Sequence, residues 1–338
     1  MRVHDRQGKR LADIELPDLG TASNVEGSAG SNVFRFMFTS FLYPTVILRH
    51  DMGTGITTVE GRGKTTVDVA AYQTEQRWFT SKDGTRVPMF IVHRRGITLD
   101  GSHPTILYGY GASGTSTLPG FSEDVFAWLE MGGIYAVANI RGGGEFGKAW
   151  YEAAILERKQ NSFDDFIAAS EYLVDEGFTS PRKLAIRGRS AGGLLVTTVL
   201  TQRPDLFALV LADVPATDAV RRSRSGTGAI QRGQWGSTDD PVQFKAMFAY
   251  SPLHNLRRGT CYPATLVTTS RDDDRSPPWH SYKFVAALQA AQGCDQPILL
   301  HVRDKGAHGG AADLDQMFDG MTMMLGFTAR QLGLGASP

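Results

Sequence analysis

The sequence predicts an α/β fold: a largely parallel sheet covered by helices on both faces, preceded by a short N-terminal β segment. Three observations predict it. From about residue 72 onward, apolar strand-like runs alternate with helix-like stretches, the pattern of a doubly covered parallel sheet. Residues 1 to about 70 read instead as short strands joined by turns. The 338 residues, 41% hydrophobic and 21% charged, hold enough apolar material for one large core and a smaller appendage, and exclude a disordered chain or a disulfide-stapled miniprotein. The expected division is a β-rich segment over 1–71 and an α/β domain over 72–338.

In the β-rich segment the strands are VFRFMFTSF (33–41) and TVILRHD (45–51), followed by the turn Met52-Gly53-Thr54-Gly55 and a further polar, β-branched stretch. These are too few strands for an independent sandwich or barrel, so the segment either packs on the α/β region or is part of something larger. Its open strand edges and apolar surface favour self-association into a homo-oligomer.

In the α/β region the strand-like runs are MFIVH (89–93), TILYGY (105–110), IYAVANI (134–140), LAIRG (184–188), FALVLAD (207–213), ATLVTTS (264–270) and PILLHV (297–302). Between them, Ser162–Val174 reads as a helix. Ser162 is its expected cap, Asp164 and Asp165 sit near the positive end, Phe166, Ile167, Leu173 and Val174 share a face, and Gly177 stands beyond it as the stop. Tyr282–Ala291 and Leu314–Leu332 are further amphipathic helices.

Charge narrows the partners. Lysine plus arginine number 35 and aspartate plus glutamate 35, so no global field draws nucleic acid or an anionic membrane; a small, locally read substrate fits better. The longest apolar runs, such as Phe207–Ala212 and Ile298–Leu300, fall short of the roughly 20 residues of a membrane helix. Cys261 and Cys294 could pair, but a chain this long does not need a crosslink, and MRVHDRQGKR has no apolar signal-peptide stretch. The expectation is a reducing, cytoplasmic protein.

The chemistry begins at Gly188-Arg189-Ser190-Ala191-Gly192-Gly193, where the strand LAIRG ends and the helical LLVTTVL begins. In a G-x-S-x-G elbow, small flanking residues permit a sharp strand-to-helix turn that exposes the serine Oγ above the sheet. The Ala191 N–H at the helix start then points at a developing oxyanion. A serine nucleophile needs a base, and α/β-hydrolases keep the chain order Ser, Asp or Glu, His. Of the eight histidines, that order excludes His4, His50, His93 and His103. His254 comes after Ser-Pro-Leu, His280 starts a helix and His301 lies in a buried-looking strand. His308, in KGAHGG (305–310) after the last strand, can swing to the elbow. The acid belongs to Asp272-Asp273-Asp274, directly after ATLVTTS; position alone favours Asp273 only weakly.

Two competing motifs fail on context. Gly142-Gly143-Gly144-Glu145-Phe146-Gly147 satisfies G-x-G-x-x-G after a strand, but the acids about 20 residues on begin a helix instead of ending a second strand. Gly63-Lys64-Thr65 lacks the upstream glycine of a phosphate-binding loop, position 58 being threonine. No metal-ligand cluster or cofactor motif is found.

Together TSKDGTRVPMFIVH (80–93), LYGYG (107–111), ANIRGGGEFGKAW (138–150), KQNSFDDF (159–166), the elbow, YSPLHN (250–255), DDRSPPWHSYKF (273–284) and KGAHGG resemble the prolyl oligopeptidase family of serine peptidases over most of the chain. The resemblance implies an α/β-hydrolase fold with Ser190, Asp273 and His308 as triad, thereby choosing among the three aspartates. It also implies that the Tyr110 hydroxyl joins the Ala191 N–H as oxyanion donor, and that Arg275 binds a substrate carbonyl.

The departures bear on specificity. Members of this family carry a β-propeller that gates the site, and residues 1 to about 70 resemble its last portion alone. Near YSPLHN, where the tryptophan that stacks on a substrate proline is expected, stands Phe244-Lys245-Ala246-Met247-Phe248-Ala249. Ala191 replaces an asparagine common in prolyl-specific members, and Ala112 and Ser113 replace bulk after Tyr110. The leading expectation is a serine hydrolase forming an acyl-enzyme on short acyl esters and small peptides. A second keeps prolyl specificity, with Trp235 or Phe248 taking over the stacking role and Tyr250 beside them as a pocket residue. A third, of another class, is an inactive interaction fragment; three triad residues in this order and setting have no evident packing use, which argues against it.

Overall fold

The computed structural model of the chain describes residues 1–63 and 68–334. Lys64 and Thr65 of the rejected phosphate-loop match lie outside the described residues. Contacts group the chain into two compact units, one of Met1–Glu75, Val92–Ile97 and Leu118–Glu130, the other of Gln76–Ile91, Thr98–Thr117 and Met131–Pro338.

The smaller unit opens with an antiparallel pair, β1 (Arg2–His4) and β2 (Arg10–Asp13). A four-stranded antiparallel sheet comes next, in sequence order: β3 (Gly20–Gly27), β4 (Val33–Ser40), β5 (Val46–Asp51) and β6 (Ile56–Arg62). Alternation in the sequence sets its inner face. Phe36 pairs with Leu48 and Phe38 with Val46, and these four bury together with Ile14, while the alternate residues of each strand turn outward. The unit also holds α1 (Glu123–Glu130), with two acids in the first turn, where the helix dipole favours them, and Phe126 and Trp128 buried.

An eight-stranded sheet, most of whose residues group with the larger unit, forms the core of that unit. Its strands are β7 (Tyr72–Thr80), β8 (Arg86–Arg94), β9 (Thr105–Gly109), β10 (Ile134–Ala138), β11 (Leu184–Arg189), β12 (Leu209–Asp213), β13 (Ala264–Ser270) and β14 (Ile298–Arg303). They lie in the order β14-β13-β12-β11-β9-β10-β8-β7, and every neighbouring pair from β14 to β10 is parallel. The strands read as continuous apolar runs because both faces are covered; all five residues of β10 are buried. The helices are α2 (Lys148–Glu152), α3 (Gln160–Asp175), α4 (Ala191–Gln202), α5 (Ala219–Arg222), α6 (Arg232–Trp235), α7 (Pro241–Tyr250), α8 (Trp279–Ala291) and α9 (Leu314–Leu332). Asp313 caps α9 through the Gln316 N–H, and Gly333, at φ 70°, ends it.

Three local expectations change. Ser162 does not cap its helix: α3 begins at Gln160, and the buried Ser162 hydroxyl donates to the Arg141 carbonyl at 2.7 Å. Helix α8 starts a turn earlier than Tyr282, because Pro278 stands at its cap and the His280 N–H reaches the Pro277 carbonyl at 3.0 Å. The cysteines do pair. Cys261 and Cys294 form a disulfide across 33 residues, contrary to the expectation of a chain without a crosslink. The backbone brings them together: Thr260 bridges Gln292, and the Gly293 N–H donates to the Thr260 carbonyl at 2.8 Å, so adjacent residues face each other at bonding range. Among the described residues no helix is long and apolar enough to cross a membrane.

Candidate active site

The C-terminal end of β11 runs straight into α4, and Ser190 is the residue at the corner. Its backbone, at φ 56° and ψ −112°, is one that side chains rarely adopt. Its N–H is tied to the Asp213 carbonyl at the end of the neighbouring strand β12, at 2.8 Å. The flanking glycines are sterically required. A Cβ at Gly188 would overlap the Gly192 carbonyl, one at Gly192 would stand 2.6 Å from the Gly109 carbonyl oxygen, and one at Gly193 2.9 Å from Pro215 Cα. The turn is therefore closed by direct backbone packing against β9 and the loop after β12.

His308 Nε2 lies 2.9 Å from Ser190 Oγ, and its Nδ1 lies 2.8 Å and 3.0 Å from the two carboxylate oxygens of Asp273. Asp273 is 3% exposed. Burial pulls its acidity toward the neutral form, but the bond from His308 and the N–H groups of Ser276 and Arg275, at 2.8 Å and 2.9 Å, hold its carboxyl below the usual range. An ionised Asp273 can only accept, so Nδ1 carries the hydrogen and Nε2 presents its lone pair to the Ser190 hydroxyl. Neither Asp272 nor Asp274 is buried. His301 lies on β14, half-buried, and His280 is buried at the start of α8, with Nδ1 accepting from the Asp218 N–H at 3.1 Å; neither enters the line.

Two residues that sequence reasoning passed over hold the histidine loop. Arg189, between the elbow glycine and Ser190, donates through Nη2 to the His308 carbonyl, and its Nε lies 3.4 Å from the Asp213 carboxylate. Asp213 in turn takes Arg303 Nη1 at 3.0 Å. The signal was faint: one variable position of a motif and an acid at a strand end.

The proposed oxyanion donors flank the elbow. Ala191 is the first residue of α4, where a helix N–H has no intrahelical acceptor. Tyr110 comes directly after β9, with its Cα and ring edge each 3.6 Å from where a Gly192 Cβ would stand. The GGG run after β10 packs against the loop beyond Tyr110: a Cβ at Gly142 or Gly144 would overlap the carbonyl of Gly111 or Gly114. Asp165, one of the acids weighed against a dinucleotide reading, is fully buried and ion-paired with Arg141, whose Nη2 it accepts at 2.6 Å.

The pocket candidates separate. Trp235 and Tyr250 are buried together, the Tyr250 hydroxyl donating to the Trp235 carbonyl at 3.4 Å, while Thr198 of α4 donates to the Tyr250 carbonyl at 3.1 Å. Phe248 lies on the other side of α7, stacked on Phe244 and beside His254, and stays 45% exposed. Arg275 is exposed; its N–H is spent on Asp273 and its carbonyl accepts from Thr227. Ala246 is half-buried on α7. Lys159 and Arg222, to which sequence reasoning assigned no role, are buried cations packed on the Trp235 ring at 5.1 Å and 4.0 Å.

The comparisons agree with this architecture. The prolyl oligopeptidase family matches residues 119–335, and the N-terminal β-propeller domain of prolyl oligopeptidase matches residues 1–60. A prolyl endopeptidase of Elizabethkingia meningoseptica is 40% identical over 335 residues, 99% of this chain and 48% of that protein. A prolyl endopeptidase of Dictyostelium discoideum is 36% identical over 346 residues, 99% of this chain and 45% of that protein. A solved prolyl endopeptidase structure superposes with a TM-score of 0.94 at 41% identity, covering 99% of this chain and 49% of that one. Prolyl oligopeptidase B from Galerina marginata gives 0.91 at 33%, covering 99% and 48%. The chain spans about half the length of the curated relatives it matches. With the family match covering most of the larger unit and whole-chain likeness to its members, the chain belongs to the prolyl oligopeptidase family, and its larger unit has that family's α/β-hydrolase fold.

Proposed function

We propose that the chain is a serine peptidase that cleaves peptides through an acyl-enzyme on Ser190. One observation carries the reading: the unbroken line from Ser190 Oγ through the His308 ring to a buried, ionised Asp273. In this scheme Ser190 Oγ attacks the scissile carbonyl as its proton passes to His308 Nε2, and Asp273 stabilises the imidazolium. The oxyanion is held by the Ala191 N–H and the Tyr110 hydroxyl, a donor of this kind being worth about 10²–10³ in rate. Collapse breaks the C–N bond, His308 protonates the departing amine, and water repeats the sequence on the ester to regenerate Ser190.

Trp235 and Tyr250 wall the pocket for the residue whose carbonyl is attacked, P1, and Arg275 takes a substrate carbonyl. Residues 1–71 serve as the end of a propeller and 72–338 as the hydrolase domain, in keeping with the two family matches. The short-acyl ester expected from the sequence draws no support from the relatives, whose names favour peptides and, among peptides, bonds after proline. The disulfide weighs against the cytoplasmic location expected from the cysteines and the N-terminal sequence, since such a bond persists best in an oxidising compartment. The test is labelling with a fluorophosphonate beside hydrolysis of a quenched-fluorescence peptide library. Labelling at Ser190 with peptide cleavage supports the proposal; cleavage of p-nitrophenyl butyrate without any peptide turnover returns the esterase.

A further inference from the structure

A charged donor buried in the larger unit is left unsatisfied. Arg222 ends α5 and is 8% exposed; its Nη2 donates to Gln231 Oε1 at 3.2 Å, and its Nη1 has no hydrogen-bond partner among the described residues. The guanidinium lies 4.0 Å over the Trp235 ring, and the same Gln231 oxygen accepts the Trp235 Nε1–H at 3.2 Å, so one amide fixes ring and cation face to face. On the helix that carries Trp235, α6, the buried Gln234 Nε2 is also unpartnered among the described residues.

A second cation sits on that ring. Lys159 Nζ is 5.1 Å from the Trp235 centroid and donates to the Gly111 carbonyl at 2.7 Å and to Ser162 Oγ at 2.9 Å. Gly111 is next in the chain to Tyr110, which ties the cluster to the oxyanion side of the site. The hydrogen-bond acceptors of both cations are thus neutral. Burial, and the charge of Arg222, push Lys159 down to about 7, and burial pushes Arg222 down to about 10. The nearby acids are already engaged: Asp165 by Arg141, and Asp218 by Lys283 and Arg221. A buried, unmade hydrogen bond to a charged group is costly, and such groups in native proteins are usually satisfied by something. A carboxylate matches a guanidinium edge in both charge and shape.

Position decides which carboxylate. Arg222 lies in the segment that leaves β12 beside the elbow, at the carboxyl ends of parallel strands where ligands of open α/β sheets bind. In the site as proposed above, with the substrate carbonyl at Ser190 and its oxygen between Tyr110 and Ala191, Trp235 and Tyr250 receive the P1 side chain. We infer that Arg222 is a specificity-determining residue that receives the carboxylate of an acidic P1 side chain, so that this chain cleaves after glutamate or aspartate. The inference rests on the serine-peptidase reading of the same site and departs from the proline preference suggested by the relatives' names.

The test is a set of quenched-fluorescence peptides identical except for Glu, Gln, Asp, Pro or Ala at P1, assayed with the wild-type chain, Arg222→Gln and Arg222→Lys, with fluorophosphonate labelling of the wild type in parallel. The expected result is a kcat/KM for Glu about tenfold or more above its uncharged isostere Gln, a ratio that collapses toward one in Arg222→Gln and is partly kept in Arg222→Lys. The wild-type Glu-to-Gln ratio stands even where a variant fails to fold. Labelling and peptide cleavage with Pro or Ala preferred, and Glu no better than Gln, overturn the acidic P1 site and leave the peptidase reading standing. Absence of both labelling and cleavage overturns the two together.

Discussion

Replacing Gly192 with alanine isolates how closely the nucleophile elbow must approach β9. The new Cβ would stand 2.6 Å from the Gly109 carbonyl oxygen, a main-chain atom that cannot rotate away. Ordinary contact begins at about 3.4 Å, so the start of α4 must retreat by about 0.8 Å to relieve the overlap. That retreat shifts Ser190 and Ala191 relative to Tyr110 and His308, and a misplacement of about 1 Å costs on the order of 10²-fold in rate. Two terms oppose each other in stability: alanine gains up to about 1 kcal/mol over glycine inside a helix, while overpacking costs about 1–3 kcal/mol. The second wins, by up to about 2 kcal/mol. The assay is the second-order rate of fluorophosphonate labelling, which needs no knowledge of the natural substrate, read beside a thermal melt. The expected outcome is labelling about 10- to 100-fold slower with a melting point unchanged or lower. Wild-type labelling together with a raised melting point, the signature of helix propensity acting alone, would refute the close approach.

The same geometry leads to three further outcomes. Asp273→Asn replaces an acceptor with a group that can hold the ring in the wrong tautomer, and is expected to slow peptide hydrolysis by about 10⁴ while the melt stays cooperative; an equal loss in Asp272→Asn would misplace the acid. Lys159, with its pKa lowered to about 7 in the folded chain and near 10.5 when unfolded, binds more protons unfolded, so it makes stability rise with pH across that window and lose the gain as pH falls toward 7, by at most about 1.4 kcal/mol per pH unit. Urea titrations at pH 7.5 and 9.5 are expected to show a smaller rise in Lys159→Met than in the wild type; identical slopes would contradict it. Reducing the Cys261–Cys294 bridge opens a loop of 33 residues and is expected to lower stability by about 3–4 kcal/mol on the chain-entropy estimate, measured as a shift in urea midpoint with and without dithiothreitol.

Much of the larger unit was legible because its strands are buried on both faces and therefore read as unbroken apolar runs, LAIRG and ATLVTTS among them. The elbow was legible because glycine is the residue that fits where Gly188 meets the Gly192 backbone and where Gly192 meets β9. Strand β7 escaped: YQTEQRWFT lies at the edge of the sheet, exposed or half-buried at all but two of its positions, and carries the polar residues an edge permits. The cap of α3 was misread because a serine near a helix start has two uses, and here the chain spends its hydroxyl on the Arg141 carbonyl. Phe248 and Tyr250 looked equivalent in sequence, yet two residues along a helix point to nearly opposite sides. Arg222 gave no signal and Lys159 only its place in KQNSFDDF, since cations in polar stretches read as solvated until a fold closes over them. The disulfide was hidden by a separation along the chain that says nothing of distance in space.

Active-site labelling of the wild-type chain and of Ser190→Ala, with the modified residue identified by peptide mapping and hydrolysis of the peptide library measured in the same samples, tests the serine-peptidase reading most directly. The expected result is a single fluorophosphonate adduct on Ser190, loss of peptide turnover in step with labelling, and neither labelling nor turnover in a folded Ser190→Ala variant beyond the residual rate left by the oxyanion donors. An adduct on another serine, or peptide turnover that survives in Ser190→Ala, would contradict the reading.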